Sequence, residues 1–283
     1  MSETTYDWHF DDGNTPQAIN PAENAAQANA AMQQVLAEST GPAPDVPVPN
    51  DCLVTLPVGI EIDGKTVREA EIRELTGEDE EALAKVATNS LRFFDVVLQR
   101  GVVCIGDTKP TPDLLKSLYV GDRDALLLAI RIATFDKALE MTGVECPGCG
   151  QRIDVTVDLS TVPQRGLPVE PHSVALRKGT AFLRFPTGAD QAYILADQDT
   201  SDARRNTLLL ERCLDHIEAP DGTATPGSSQ VAQQMGIADR RKALLYLADH
   251  APGPELAHVS VEHDSCGKEV PLPLTLTDTF LNL

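Results

Sequence analysis

Arg73-Glu74-Leu75-Thr76-Gly77-Glu78-Asp79 returns later in the chain as Arg184-Phe185-Pro186-Thr187-Gly188-Ala189-Asp190, with Arg, Thr, Gly and Asp at identical offsets. Both stretches follow an alternating apolar pattern and precede apolar residues at helical spacing. Thr76 and Thr187 therefore each read as the N-cap of a helix whose opening acids suit its positive end. Before the first copy, Leu56, Val58, Ile60 and Ile62 alternate. Asp63-Gly64 then supplies a hairpin turn, and a return strand carries Val67 and, after a slip of phase, Ala70 and Ile72. Before the second copy, Val174, Leu176, Gly179 and Phe182-Leu183 form a hairpin of similar length.

Downstream the order also recurs. After the first copy, helical spacing continues to about Leu98, and a short strand is expected over 102–105. Thr111-Pro112-Asp113 opens a helix to about 119, and Gly121-Asp122-Arg123-Asp124 opens another to Phe135. After the second copy, helices are expected over about 188–197, 201–217 and 229–250. Each series ends on a hairpin turn: Cys146-Pro147-Gly148-Cys149-Gly150 in one case and His263-Asp264-Ser265-Cys266-Gly267 in the other, with alternating apolar residues on both sides. The reading is an α+β fold of two tandem repeats, about 51–162 and 170–280, each running hairpin, helices, knuckle hairpin. Its divisions are an arm over 1–50, a first unit over 51–165 and a second over 166–283.

Two thiolates three apart on a glycine-containing turn make half of a structural zinc site. His263 and Cys266 have the same spacing and supply the other half, so Cys146, Cys149, His263 and Cys266 are expected to hold one zinc ion per chain as a split zinc ribbon. A redox Cys-x-x-Cys would open a helix, whereas strands flank these turns. Four protein ligands leave no open position for water, so the metal stabilises rather than catalyses. Cys213 and His216, at helical spacing, are an alternative ligand pair whose simpler reading is a core cysteine and a surface histidine. Cys52 and Cys104 read as small buried hydrophobes.

The 23 Lys and Arg residues against 43 Asp and Glu give a formal charge of −20, which opposes a phosphate-binding surface, so no nucleic-acid partner is expected. There is no apolar run of bilayer length, and Met1-Ser2-Glu3-Thr4 lacks a secretion signal's character, so cytoplasmic folding without a membrane partner is the expectation. Residues 1–50 carry too few large apolar side chains for a core. Asn20-Pro21-Ala22-Glu23 opens a helix over about 21–38, followed by a proline-rich linker over 41–49. The narrow stripe of Ala22, Ala25, Ala28, Met32, Val35 and Leu36 suits docking on a neighbouring subunit. No nucleophile elbow, phosphate loop or dinucleotide fingerprint occurs, His9, His172, His250 and His258 are scattered, and the acids at 78–81 read as a solvated helix start. The chain is expected not to be an enzyme.

Gly121-Asp122-Arg123-Asp124, the apolar helix with Arg131 and the Cys-Pro-x-Cys-Gly turn together resemble T-even-like baseplate hub and tail assembly proteins of contractile-tailed phages. Arg184-Phe185-Pro186-Thr187-Gly188-Ala189-Asp190 and the following Leu208-Leu209-Leu210-Glu211-Arg212-Cys213 are similar to segments of baseplate proteins of phage tails and tail-like injection machines. In such proteins the second knuckle is commonly Cys-x-x-Cys, and here His263 takes the first cysteine's place. The resemblance spans about 51–283. It implies a structural component of a contractile tail baseplate, at hub or wedge, with other baseplate or tail proteins as partners, carried in the virion and assembled in the host cytoplasm. The alternatives are a transient tail assembly chaperone and a zinc-ribbon nucleic-acid or regulatory module.

Overall fold

The computed structural model describes residues 52–86, 90–199 and 201–280. The expected arm and its helix over 21–38 lie outside the described residues. The chain mixes helix and sheet. Strands β1 (Leu53–Ile62), β2 (Lys65–Ile72) and β3 (Val102–Ile105) form an antiparallel sheet in that order. Asp63 and Gly64 both hold positive φ, the backbone that a two-residue hairpin turn requires. The phase slip lies on β1 rather than on the return strand: Thr55 faces Glu69 and Ile60 faces Val67, so Leu56–Gly59 bulge out of the ladder. The cause is tertiary, because the buried Asp122 carboxylate accepts the amides of Val58 at 2.7 Å and Gly59 at 3.0 Å.

Helices α1 (Gly77–Leu83) and α2 (Leu91–Gly101) cover this sheet with Leu83, Phe93, Val97 and Leu98. The continuous helical spacing expected over this stretch is thus two helices, the second restarted by the Ser90 cap, whose hydroxyl accepts from the Phe93 amide. Of the acids at 78–81, Asp79 is buried rather than solvated, in a capping box with Thr76 and an ion pair with Arg73. After α3 (Pro112–Ser117), the helix α4 (Val120–Phe135) forms the spine of the fold. Leu126, Leu127 and Ile130 fill the first core, while Leu128 on the same helix reaches a second core beneath the knuckles. Such double-sided burial explains why α4 is apolar on most of its circumference.

Strands β4 (Ala138–Glu145) and β5 (Arg152–Asp158) carry the first knuckle, and β6 (Gln164–Arg165) pairs with β11 (Gly253–Pro254). A four-stranded sheet follows, in the order β10-β9-β8-β7, from β7 (Ser173–Leu176), β8 (Gly179–Leu183), β9 (Leu214–Glu218) and β10 (Ala224–Pro226). Helix α5 (Gly188–Leu195) lies against α6 (Asp202–Cys213), and α6, α7 (Ser229–Gln234) and α8 (Ile237–Asp249) pack on the sheet. Helix α6 ends at Cys213 rather than near 217, because Leu214–Glu218 pair with β8. The expected helix over 229–250 is broken at Met235-Gly236, both extended. The second knuckle joins β12 (Ser260–His263) to β13 (Lys268–Pro271), and Leu272 and Leu274 continue into the core beneath it. The short helix α9 (Leu276–Thr279) then brings Phe280 back to the first core, against Phe93.

Several contacts are made twice along the chain. The Arg73 amide donates to the Gly101 carbonyl and the Arg184 amide to that of Cys213, both at 2.8 Å. Asp79 and Asp190 each accept two bonds from the arginine six residues before and one from the amide of the capping threonine. Arg123 donates to the Leu115 carbonyl at 2.9 Å and to Asp95. Arg240 donates to the Ala232 carbonyl at 2.5 Å and to the Thr207 hydroxyl. This last pair carries no motif that the linear pattern brought out.

Candidate metal centre

Each knuckle hairpin is shaped by local hydrogen bonds and one glycine. In the first, the Gly150 amide donates to the Cys146 carbonyl at 2.8 Å and the Cys146 amide to Gln151 at 2.9 Å. In the second, the Cys266 and Gly267 amides donate to the His263 carbonyl at 3.1 and 2.8 Å. Gly150 and Gly267 close the turns at φ 73° and 64°, a conformation costly for any residue with a Cβ. The two turns abut: a Cβ on Gly148 would come within 2.5 Å of Lys268 Cγ and 3.6 Å of Cys266 Sγ. Beneath them lie Leu139, Val157, Val270 and Leu272, a water-poor floor packed against Cys146.

The ligand-type atoms of Cys146, Cys149, His263 and Cys266 lie within 4.8 Å of one another, although the two pairs are far apart in the chain. Cys146 Sγ is 3.6 Å from Cys266 Sγ, and His263 Nδ1 is 3.4 Å from Cys149 Sγ and 3.2 Å from Cys266 Sγ. A tetrahedral ion with Zn–S near 2.3 Å and Zn–N near 2.0–2.1 Å would have edges of roughly 3.8 Å between sulfurs and about 3.6 Å between sulfur and nitrogen. The separations sit close to those edges. They are far longer than the roughly 2.05 Å of a disulfide, and the three cysteines and one histidine gather their ligand-type atoms in one place. The cluster can therefore hold one metal ion.

Electrostatics favour the same conclusion. Burial pushes the Cys146 thiol up, but the Cys149 and Gly148 amides, His263 and Cys266 outweigh it and bring the group down to about 6. The Lys268 amide lowers the Cys266 thiol, yet burial and the Cys146 and Cys149 sulfurs leave it raised overall. Sulfurs this close cannot all ionise without a cation between them. A divalent ion removes that conflict and fixes all of them as thiolates.

The other pair suggested by spacing is not a site. Cys213 closes α6 and is buried, where loss of solvent pushes its thiol up to about 12. His216 lies on β9, stacked on Phe182 with ring centroids 4.4 Å apart, and bonds to Asp215. Cys213 and His216 do not share a helix face because the helix ends between them.

The sequence model of the T4 bacteriophage base plate protein family matches residues 55–236. The chain belongs to that family. No curated protein and no solved structure matches it. The match covers the first knuckle of this baseplate protein and stops before His263 and Cys266, so the partner half of the cluster is assigned by geometry alone. The baseplate family points to a structural role in the tail of a virion, among other baseplate or tail proteins.

Proposed function

We propose that this baseplate protein is a zinc-clamped docking subunit of a contractile tail baseplate, at hub or wedge, with no catalytic duty. The observation that supports this reading is that the ligand-type atoms of Cys146, Cys149, His263 and Cys266, from two distant hairpins, lie within 4.8 Å of one another. Zinc fits the donor set of three thiolates and one imidazole, and a closed site supplies cross-linking rather than a reactive water. Ligation ties β4–β5 to β12–β13 and so fixes the two ends of the chain's second core.

The clamp is read as the junction of two copies of one unit, about 51–165 and 166–283, behind an arm over 1–50. Supporting this are the paired capping boxes of Thr76 and Thr187 and the paired arginine bonds of Arg123 and Arg240. The arm is assigned to docking on a neighbouring subunit. Metal analysis of protein purified without added zinc, alongside Cys266→Ser, tests the clamp: about one zinc per chain in the parent and little in the variant is expected. A metal-free parent would remove it. Deleting residues 1–40 should leave melting unchanged and reduce incorporation into particles; normal incorporation would remove the docking role of the arm. Recovery of the chain at fixed stoichiometry in purified particles is expected for a resident subunit, and its absence there would favour a transient assembly chaperone.

A further inference from the structure

Within one chain, the junction before α4 docks on the threonine–glycine loop before α5. The Val120 amide donates to the Pro186 carbonyl and the Gly188 amide to that of Leu118, both at 3.0 Å, with Tyr119 and Thr187 forming an antiparallel bridge. Arg123 then lies flat on Gly188: a Cβ there would meet its Cδ, Nε and Nη1 at 2.8 Å. A side chain at 188 would have to displace that guanidinium.

Each half has its own version of both surfaces. The equivalent of Leu118-Tyr119-Val120 is Met235-Gly236-Ile237, where the residue before the helix has nearly the same backbone angles: φ −57°, ψ 149° at Tyr119 and φ −59°, ψ 143° at Gly236. The equivalent of Pro186-Thr187-Gly188 is Leu75-Thr76-Gly77, capped by the same box. Yet these two surfaces have no occupant among the described residues. Ile237 is 86% exposed where Val120 is partly covered, and nothing lies within 4 Å of a Cβ placed on Gly77. The Ile237 and Gly77 amides and the Leu75 and Met235 carbonyls likewise find no partner among the described residues.

Charge also matches. Arg241 and Lys242, exposed beside Ile237, replace Asp124 and Ala125 of the first half, whereas Glu78, Glu80 and Glu81 stand exposed beside Gly77. On a chain of net charge −20, that basic patch and that acidic loop attract each other while the rest of the surface repels. We infer that a second copy of this chain docks its Leu75–Gly77 loop on the Met235–Ile237 junction, repeating between chains the contact that the two halves make within one. The contact is head-to-tail, so a docked pair keeps one free surface of each kind, and association continues into a closed ring or an open row. It is small, so it depends on concentration. The inference rests on the two-copy reading of the chain proposed above.

The test uses the full chain and two variants, each blocked at one surface. Ile237→Asp puts a charge in the junction, and Gly77→Val puts a side chain where Arg240 of the next copy lies. Sedimentation across a concentration series is expected to show self-association of the parent, monomers for each variant alone, and a 1:1 dimer when the two are mixed, since each variant retains one working surface. Both should melt with the parent, because neither residue touches the core. A monomeric parent at every concentration, or failure of the mixture to pair, overturns the inference. Arg123→Met and Arg240→Met examine the two-copy reading separately: both should lower the melting temperature. If Arg240→Met melts with the parent, the two-copy reading fails whatever the sedimentation shows.

Discussion

Asp190 offers the sharpest measure of how the tertiary contacts stabilise this protein. Its carboxylate is fully buried and accepts from Arg184 at 2.6 and 3.0 Å, from Arg212 at 2.7 Å and from the Thr187 amide at 3.0 Å. Asp190→Asn keeps the shape but removes the charge. The lost cap is worth about 1 kcal/mol, and the charge-assisted bonds to arginine about 1.5–3 kcal/mol each. Both arginine side chains are 41% exposed, so water takes up much of their loss and the pair contributes at the low end. The expected cost is about 3 kcal/mol, equivalent to a fall of roughly 6–12 °C in melting temperature for a body of this size.

Thermal unfolding followed by circular dichroism, at neutral pH and in moderate salt, measures that fall. Burial raises the Asp190 carboxyl, but Arg184, the Thr187 amide and Arg212 hold it well below the usual carboxylate range, and Asp79 is likewise held down to about 2 by Arg73. A depressed folded value means that the stabilisation is fully present above the ordinary carboxylate value of 3.8 and is lost as pH falls through the folded one. The gap between parent and variant should therefore close on acidification below about pH 4. A gap of less than about 1 kcal/mol at neutral pH, or one that widens in acid, would mean that the Asp190 charge does not stabilise the fold.

Cys149→Ser should release the metal and lower the melting temperature, and a chelator should reproduce the effect on the parent but not on the variant; equal melting of all samples would remove the clamp. Asp124 lies in a cleft of about 660 Å³ lined by Leu127, Phe185 and Leu247, and burial, partly offset by Arg123, pushes its carboxyl up to about 7. Its ionisation therefore costs stability increasingly from pH 3.8 to about 7 and constantly above, so Asp124→Asn should raise the melting temperature at pH 8 and leave it unchanged below pH 4. Gly121→Ala would place a Cβ 1.9 Å from the Pro252 carbonyl oxygen, and about 1–3 kcal/mol should be lost as α4 is pushed away from β11. Leu126→Ala, at the centre of the first core, should cost about 2–5 kcal/mol in denaturant unfolding.

Several features were legible in the linear order of residues because their physics is local. Asp63-Gly64 specifies its turn through the backbone it tolerates, Thr76 and Thr187 form capping boxes with the aspartate three residues ahead, and glycine after each knuckle closes a tight loop. Cys146–Cys149 and His263–Cys266 declare half-sites for the same reason, since ligands three apart on a turn point one way. Helix ends read from periodicity alone were misplaced at Cys213 and Met235, where strand pairing and an extended junction override helical spacing. Turns, caps and paired ligand-type residues could all be read in linear order, since each is set by neighbours within a few residues. The meeting of the two knuckles, the pull of Asp122 on the β1 bulge towards α4 and the return of Phe280 to the first core appear only in the folded chain. Those contacts join residues distant in the chain, and they form because burial of α4 on both sides brings the cores together, a relation that no local pattern encodes.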